Sequence, residues 1–173
     1  LKHAEVLFYS SNLTVVDEKV LHYSKQLFQN NPSFRIEFIQ EHDIKEYLSW
    51  DVKSQKQWGA NLGVSLGFSE QWFAPYDWVI RVNPDVLIRD GRWMWETMHD
   101  DSAKALLWRC TGQQIHTDFF AVRPRAVSNT SFTGIVNISG KINHEMTAMR
   151  DFKHLLNNGN RLMPGLDNSG GVC

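Results

Sequence analysis

The sequence predicts an α/β fold, an α/β/α sandwich with a mostly parallel sheet, and two observations carry that expectation. Apolar runs at Ala4 to Ser10, Phe34 to Gln40 and Trp78 to Ile88 have the length and the β-branched or aromatic content of strands, and segments with helical spacing separate them. Strands alternating with helices imply crossovers that lay successive strands side by side in one direction. The 173 residues suit one domain spanning 1–173. It is expected to be a piece of a longer chain, truncated at its C-terminus, because it starts at Leu1 and stops at Cys173 with no closing element.

The elements follow in order. Ala4 to Ser10 reads as a buried strand that gives way to the polar Ser11-Asn12. Thr14 and Asp17 have capping-box spacing, and Val20, Leu21, Leu27 and Phe28 recur as on a helix until Asn30-Asn31-Pro32 stops it. Phe34, Ile36 and Phe38 alternate with polar neighbours, the period of a second strand. Lys53 to about Phe73 is helical, with Gly59, Gly63 and Gly67 four apart on one stripe. Each glycine costs a helix ~1 kcal/mol relative to alanine, so a backbone or a ligand is expected to need the room.

Trp78 to Ile88 is a strand interrupted at Asn83-Pro84-Asp85, where proline cannot donate to a ladder. Ala105 to Trp108 and Ile115 to Val122 are further strand candidates. Glu145 to Leu156 is a helix closed by Asn157-Asn158-Gly159. The strands near 6–9, 35–39 and 79–82 are expected to be parallel neighbours, with Asp85 beyond the carboxyl end of the third.

Composition excludes several classes. Eighteen basic and nineteen acidic side chains leave a net charge of −1, so nucleic acid is not expected as a partner. With 42% hydrophobic residues the chain is not disordered. No apolar run reaches the ~20 residues of a bilayer span, so a membrane anchor would have to lie outside this stretch. Cys110 and Cys173 are too few for a disulfide scaffold, leaving one disulfide or two buried thiols. Three acceptor sequons, at Asn12, Asn129 and Asn137, favour a glycoprotein of the secretory lumen or Golgi over a cytoplasmic protein. The same lumenal address would allow Cys110 and Cys173 to pair.

Chemistry concentrates where the third strand breaks. Ligands of open α/β sheets bind beyond the carboxyl ends of strands. There Asp85 and the side-chain oxygen of Asn83 offer hard donors to Mg²⁺ or Mn²⁺, although Asn-Pro-Asp is also ordinary turn chemistry. Glu145, at a helix start, has the position of a general base and equally that of a capping residue. His116 and Asp118 share one strand face, as a metal or acceptor pair or as a simple hydrogen bond. Trp72, Trp78, Trp93, Trp95 and Trp108 could stack on sugar rings, but core packing is the commoner use of such side chains.

Gly59-Ala60-Asn61-Leu62-Gly63, followed some twenty residues later by Tyr76 to Val86, resembles the donor half of GT-A-fold glycosyltransferases, in particular the inverting rhamnosyltransferase-like family. In that family an Asn-x-Gly helix precedes a strand ending in Asp-x-Asp, for which Asn83-Pro84-Asp85 is a variant. The resemblance implies a GT-A-like, Rossmann-related sandwich and a nucleotide diphosphate sugar as donor. It also implies a carbohydrate or glycoconjugate acceptor and a bound Mn²⁺ or Mg²⁺. By the same resemblance Asp85 and Asn83 hold the metal, Asn61 and Gly63 lie on the donor side, and Glu41 and Asp43 contact the nucleotide base. Asp118 to Pro124 is similar to the family's acceptor-side strand, and Asn143 to Thr147 to its Glu-Asp helix start, which makes Glu145 the catalytic base.

The implied activity is metal-assisted transfer of a sugar, of the hexosyltransferase kind, to a hydroxyl acceptor. The rival reading is a non-catalytic carbohydrate-binding or degenerate transferase domain, which the Asn83 substitution would permit. A nucleotide hydrolase or phosphotransferase is disfavoured, since neither a Walker-type loop nor a Gly-x-Ser-x-Gly elbow is present.

Overall fold

The computed structural model describes residues 6–10, 19, 22–23, 25–26, 34–38, 51–83, 86–110, 114–127, 137–138, 141–142 and 144–161. The chain divides into two compact units, Leu1–Gly59 and Ala60–Cys173.

In the first unit, β1 (Val6–Ser10) and β2 (Phe34–Phe38) pair in parallel, in register from Val6 opposite Phe34 to Ser10 opposite Phe38. The described residues between them, Lys19, His22, Tyr23, Lys25 and Gln26, are helical. This is the expected strand-helix-strand order, since parallel strands cannot be joined by a tight turn.

α1 (Val52–Ser69) ends where the backbone turns left-handed at Gln71, with φ 59°. The Trp72 N–H donates to the Gly67 carbonyl (2.9 Å) and the Gln71 N–H to that of Phe68 (3.2 Å), the paired bonds of a Schellman cap. The turn folds Phe73 back onto the helix. A Cβ at Gly67 would run into the Phe73 ring at Cε2 and Cζ, so this member of the glycine stripe makes room for an aromatic ring.

The second unit holds a four-stranded sheet, built from β3 (Val79–Val82), β4 (Ala105–Leu106), β7 (Phe119–Val122) and β10 (Asn160–Arg161) in the order β10-β4-β7-β3. β7 is antiparallel to both β3 and β4, and only β10 with β4 is parallel. The expectation of a mostly parallel sheet is therefore corrected to a mixed one. β3 does not extend the β1–β2 pair as a parallel neighbour; its ladder is with β7, from Val79 opposite Val122 to Val82 opposite Phe119. Asn160 lengthens the edge with its side chain, accepting from the Leu107 N–H (2.8 Å) and donating to the Leu107 carbonyl (3.1 Å).

Short antiparallel pairs join β5 (Arg109–Cys110) to β6 (Gln114–Ile115) and β8 (Asn137–Ile138) to β9 (Lys141–Ile142). The helices are α2 (Arg92–Met98) and α3 (His144–Leu156), with a short 3₁₀ turn at Pro124–Ala126.

α3 buries His144, Thr147, Ala148, Asp151, Phe152 and Leu155, a stripe at helical spacing. Phe152 meets Phe68 of α1 (ring centroids 5.8 Å) and Phe120 of β7 (5.2 Å), the centre of a core that includes Leu107, Ile115 and Val122. All four residues of β7 are buried, as expected of a strand paired on both edges. Trp78 belongs to the packing too: its Nε1 donates to the Met98 carbonyl (3.2 Å), and the Arg123 guanidinium lies 4.6 Å from its ring centre.

Candidate functional site

The site is built at the carboxyl end of β3, in the second unit. Asn83 directly follows that strand. Its backbone N–H donates to the Asp118 carbonyl (2.7 Å) and its Nδ2 to Asp118 Oδ1 (2.6 Å), while its own carbonyl accepts from Val86 (3.0 Å). Asp118 thereby fixes which end of the amide is engaged as donor, and leaves Asn83 Oδ1 as an oxygen for another partner.

The Asp118 side chain is 49% exposed, and its second oxygen lies 3.8 Å from His116 Nε2. His116 in turn stacks on Trp108, with centroids 4.7 Å apart and planes inclined by 12°. The His116-x-Asp118 pair expected on one strand face thus meets the Asn83 turn, at the break between β6 and β7.

Two residues before Asn83, Arg81 places a guanidinium in largely buried surroundings, 5.9 Å over the Phe120 ring. Burial lowers its pKa, while the carboxylates of Asp118 and Glu145 act to raise it. Its Nη1 is buried and has no hydrogen-bond partner among the described residues. Arg81 therefore ties the β3 end to the start of α3 by charge. A lone arginine in the apolar run Val79-Ile80-Arg81-Val82 is its signal in the sequence.

At the start of α3, Glu145 is half-buried in the first turn and His144 is buried. His144 Nδ1 donates to Asn61 Oδ1 (2.5 Å), joining α1 to α3. Burial, and secondarily the charge of Arg81, push the His144 pKa down to about 3, so its imidazole is neutral at ordinary pH. Asn61 is 2% exposed and serves this contact, while Gly63 is half-buried two residues further along α1.

The structure thus brings Asn83, Asp118 and His116 together, the charges of Asp118 and Glu145 both act on Arg81, and the Asn61–His144 bond lies at the start of α3. Asp85, Glu41 and Asp43 lie outside the described residues. Among the described residues no three His, Cys, Asp or Glu side chains converge to hold a metal ion. No protein-family model, curated protein or solved structure matches the chain.

Proposed function

We propose that the chain is a nucleotide-sugar-dependent glycosyltransferase of GT-A type, acting on a hydroxyl acceptor with Mn²⁺ or Mg²⁺. The observation that carries the reading is the joining, beyond one strand end, of Asn83 to the partly exposed Asp118 carboxylate, with the charges of Asp118 and of Glu145, in a first helical turn, both acting on Arg81. The oxygen donors Asn83 Oδ1 and Asp118 fit a hard divalent cation, and in this reading Asp85 completes the set. The cation's contribution is to neutralise the charge that develops on a leaving diphosphate.

The remaining work falls to side chains of this protein. Asp118 orients the Asn83 amide. The Asn61–His144 bond sets the start of α3, and with it the position of Glu145. In an inverting reaction Glu145 removes the acceptor hydroxyl proton as the acceptor oxygen bonds to the anomeric carbon and the sugar–phosphate bond breaks, releasing the nucleoside diphosphate. A Golgi or secretory location belongs to the same proposal, supported by the three sequons and by the disulfide in which Cys110 is engaged. Among the described residues no helix is long and apolar enough to cross a membrane.

The test is turnover of UDP- and GDP-sugars by the full-length protein, followed as nucleoside diphosphate release. Glu145→Gln should leave donor binding intact and slow release by about two to four powers of ten, since the amide keeps the shape and loses the basicity. A carbohydrate-binding domain would bind sugars with no turnover in either form.

A further inference from the structure

We propose that the end of the second unit opposite Asn83 carries a separate anion-binding cleft, which takes a phosphate- or sulfate-bearing group. The proposal stands independently of the transferase reading. β7 separates Asp118 from Arg123, a span of about 17 Å at ~3.4 Å per residue, and α3 likewise runs from Glu145 at one end to Leu155 at the other. At that far end opens a cleft of about 420 Å³, within the size range of small-molecule sites. Among the described residues Lys104, Arg123 and Arg125 line it against a single carboxylate, Asp101.

One of the three cations is built into the fold. Arg123 is held rigid, donating from Nε to the Ala103 carbonyl (2.7 Å) and from Nη2 to the carbonyls of Met98 and Asp100 (3.3 Å each), with its plane against Trp78. Among the described residues those bonds leave its Nη1 group uncommitted, so one pair of N–H donors is already oriented before any ligand arrives. Pro124 fixes the backbone between Arg123 and Arg125. His154 is locked by donation from Nε2 to the Ala126 carbonyl (2.9 Å). Lys104 and Arg125 are exposed and free to close over a ligand.

The carbonyl end of α3 and Asp101 oppose an anion, but three cations outweigh them. A tetrahedral oxyanion offers an oxygen to each of these donors, whereas a neutral sugar gains nothing from their charge. A sulfated or phosphorylated glycan and a nucleoside diphosphate both carry this chemistry.

The experiment is a backbone and side-chain NMR titration of the full-length protein with inorganic phosphate, then with a sulfated disaccharide and with UDP. Phosphate should shift the Lys104, Arg125 and His154 signals saturably. The double variant K104Q/R125Q should weaken its Kd by about tenfold or more, and R125Q alone by about threefold, while the charge-matched control R89Q changes it less than about twofold. Whichever of the disaccharide and UDP binds more tightly and loses affinity in the same variants is identified as the source of the oxyanion. Shifts that never saturate, or that R89Q reduces as much as R125Q does, would reduce the cleft to general charge screening and overturn the proposal.

Discussion

His144 precedes the proposed base by one residue, and its buried ring makes a claim about pH. Its folded pKa of about 3 lies below the ordinary 6.5, so between those values the unfolded chain binds more protons than the native one. Stability must therefore fall as the pH falls through that window. Asp151 acts with the opposite sign: burial raises its pKa against the pull of the Arg150 contact (2.6 Å), so its contribution is present at low pH and is lost as pH rises through the raised value. His144→Gln retains an amide donor for Asn61 but cannot titrate. The wild type should accordingly lose more stability than this variant between pH 7 and pH 4.5, as measured by urea unfolding midpoints. Equal losses would mean that His144 is not buried neutral. At this scale the sequence marked Asn61 and Glu145 by their motif positions, but not the hydrogen bond that links them through His144, because side-chain partners 83 positions apart leave no local signal.

Elements were more legible than their pairing. Both strands of the first unit and both long helices lie where apolar periodicity places them, since that pattern reports which face is buried. It does not report strand direction, so β3 looked like a third parallel strand although it is antiparallel to β7. The expected strand over 115–122 is interrupted at His116–Asp118, the stretch that supplies the site. The helix expected to reach Phe73 stops at Ser69, at a left-handed turn that falls on Gln71 where the sequence has no glycine to announce it. The two-residue strands and α2 have too few residues to show a period. The glycine stripe is testable at Gly67. Alanine gains ~1 kcal/mol of helix propensity there, but its Cβ would meet the Phe73 ring, and overpacking costs ~1–3 kcal/mol. Gly67→Ala should therefore lower the melting temperature, and adding Phe73→Leu should recover part of the loss. An unchanged melting temperature in the single variant would show that Phe73 does not rest on the helix.

For the molecule as a whole, the disulfide and the metal-dependent donor site are the two claims that reach beyond local packing. Cys110 is buried at 1% exposure and disulfide-bonded, and the sequence offers Cys173 as the only other cysteine. Alkylation of the native protein should therefore label neither Cys110 nor Cys173, and reduction should lower its stability by about 2–5 kcal/mol, the usual cost of losing a native disulfide. Labelling of both before reduction would contradict this. The central claim is that Asn83 and Asp85 hold a divalent cation for a nucleotide diphosphate sugar. Its most direct test is calorimetric titration of the full-length protein with UDP- and GDP-sugars, in Mn²⁺ and in EDTA. Binding should require Mn²⁺ and weaken sharply in Asp85→Asn, while Asn83→Asp, which replaces the amide donor to Asp118 by a further carboxylate beside Asp118 and Asp85, should tighten the metal. Binding that proceeds equally in EDTA and ignores both substitutions would contradict the transferase reading and leave a carbohydrate-binding domain.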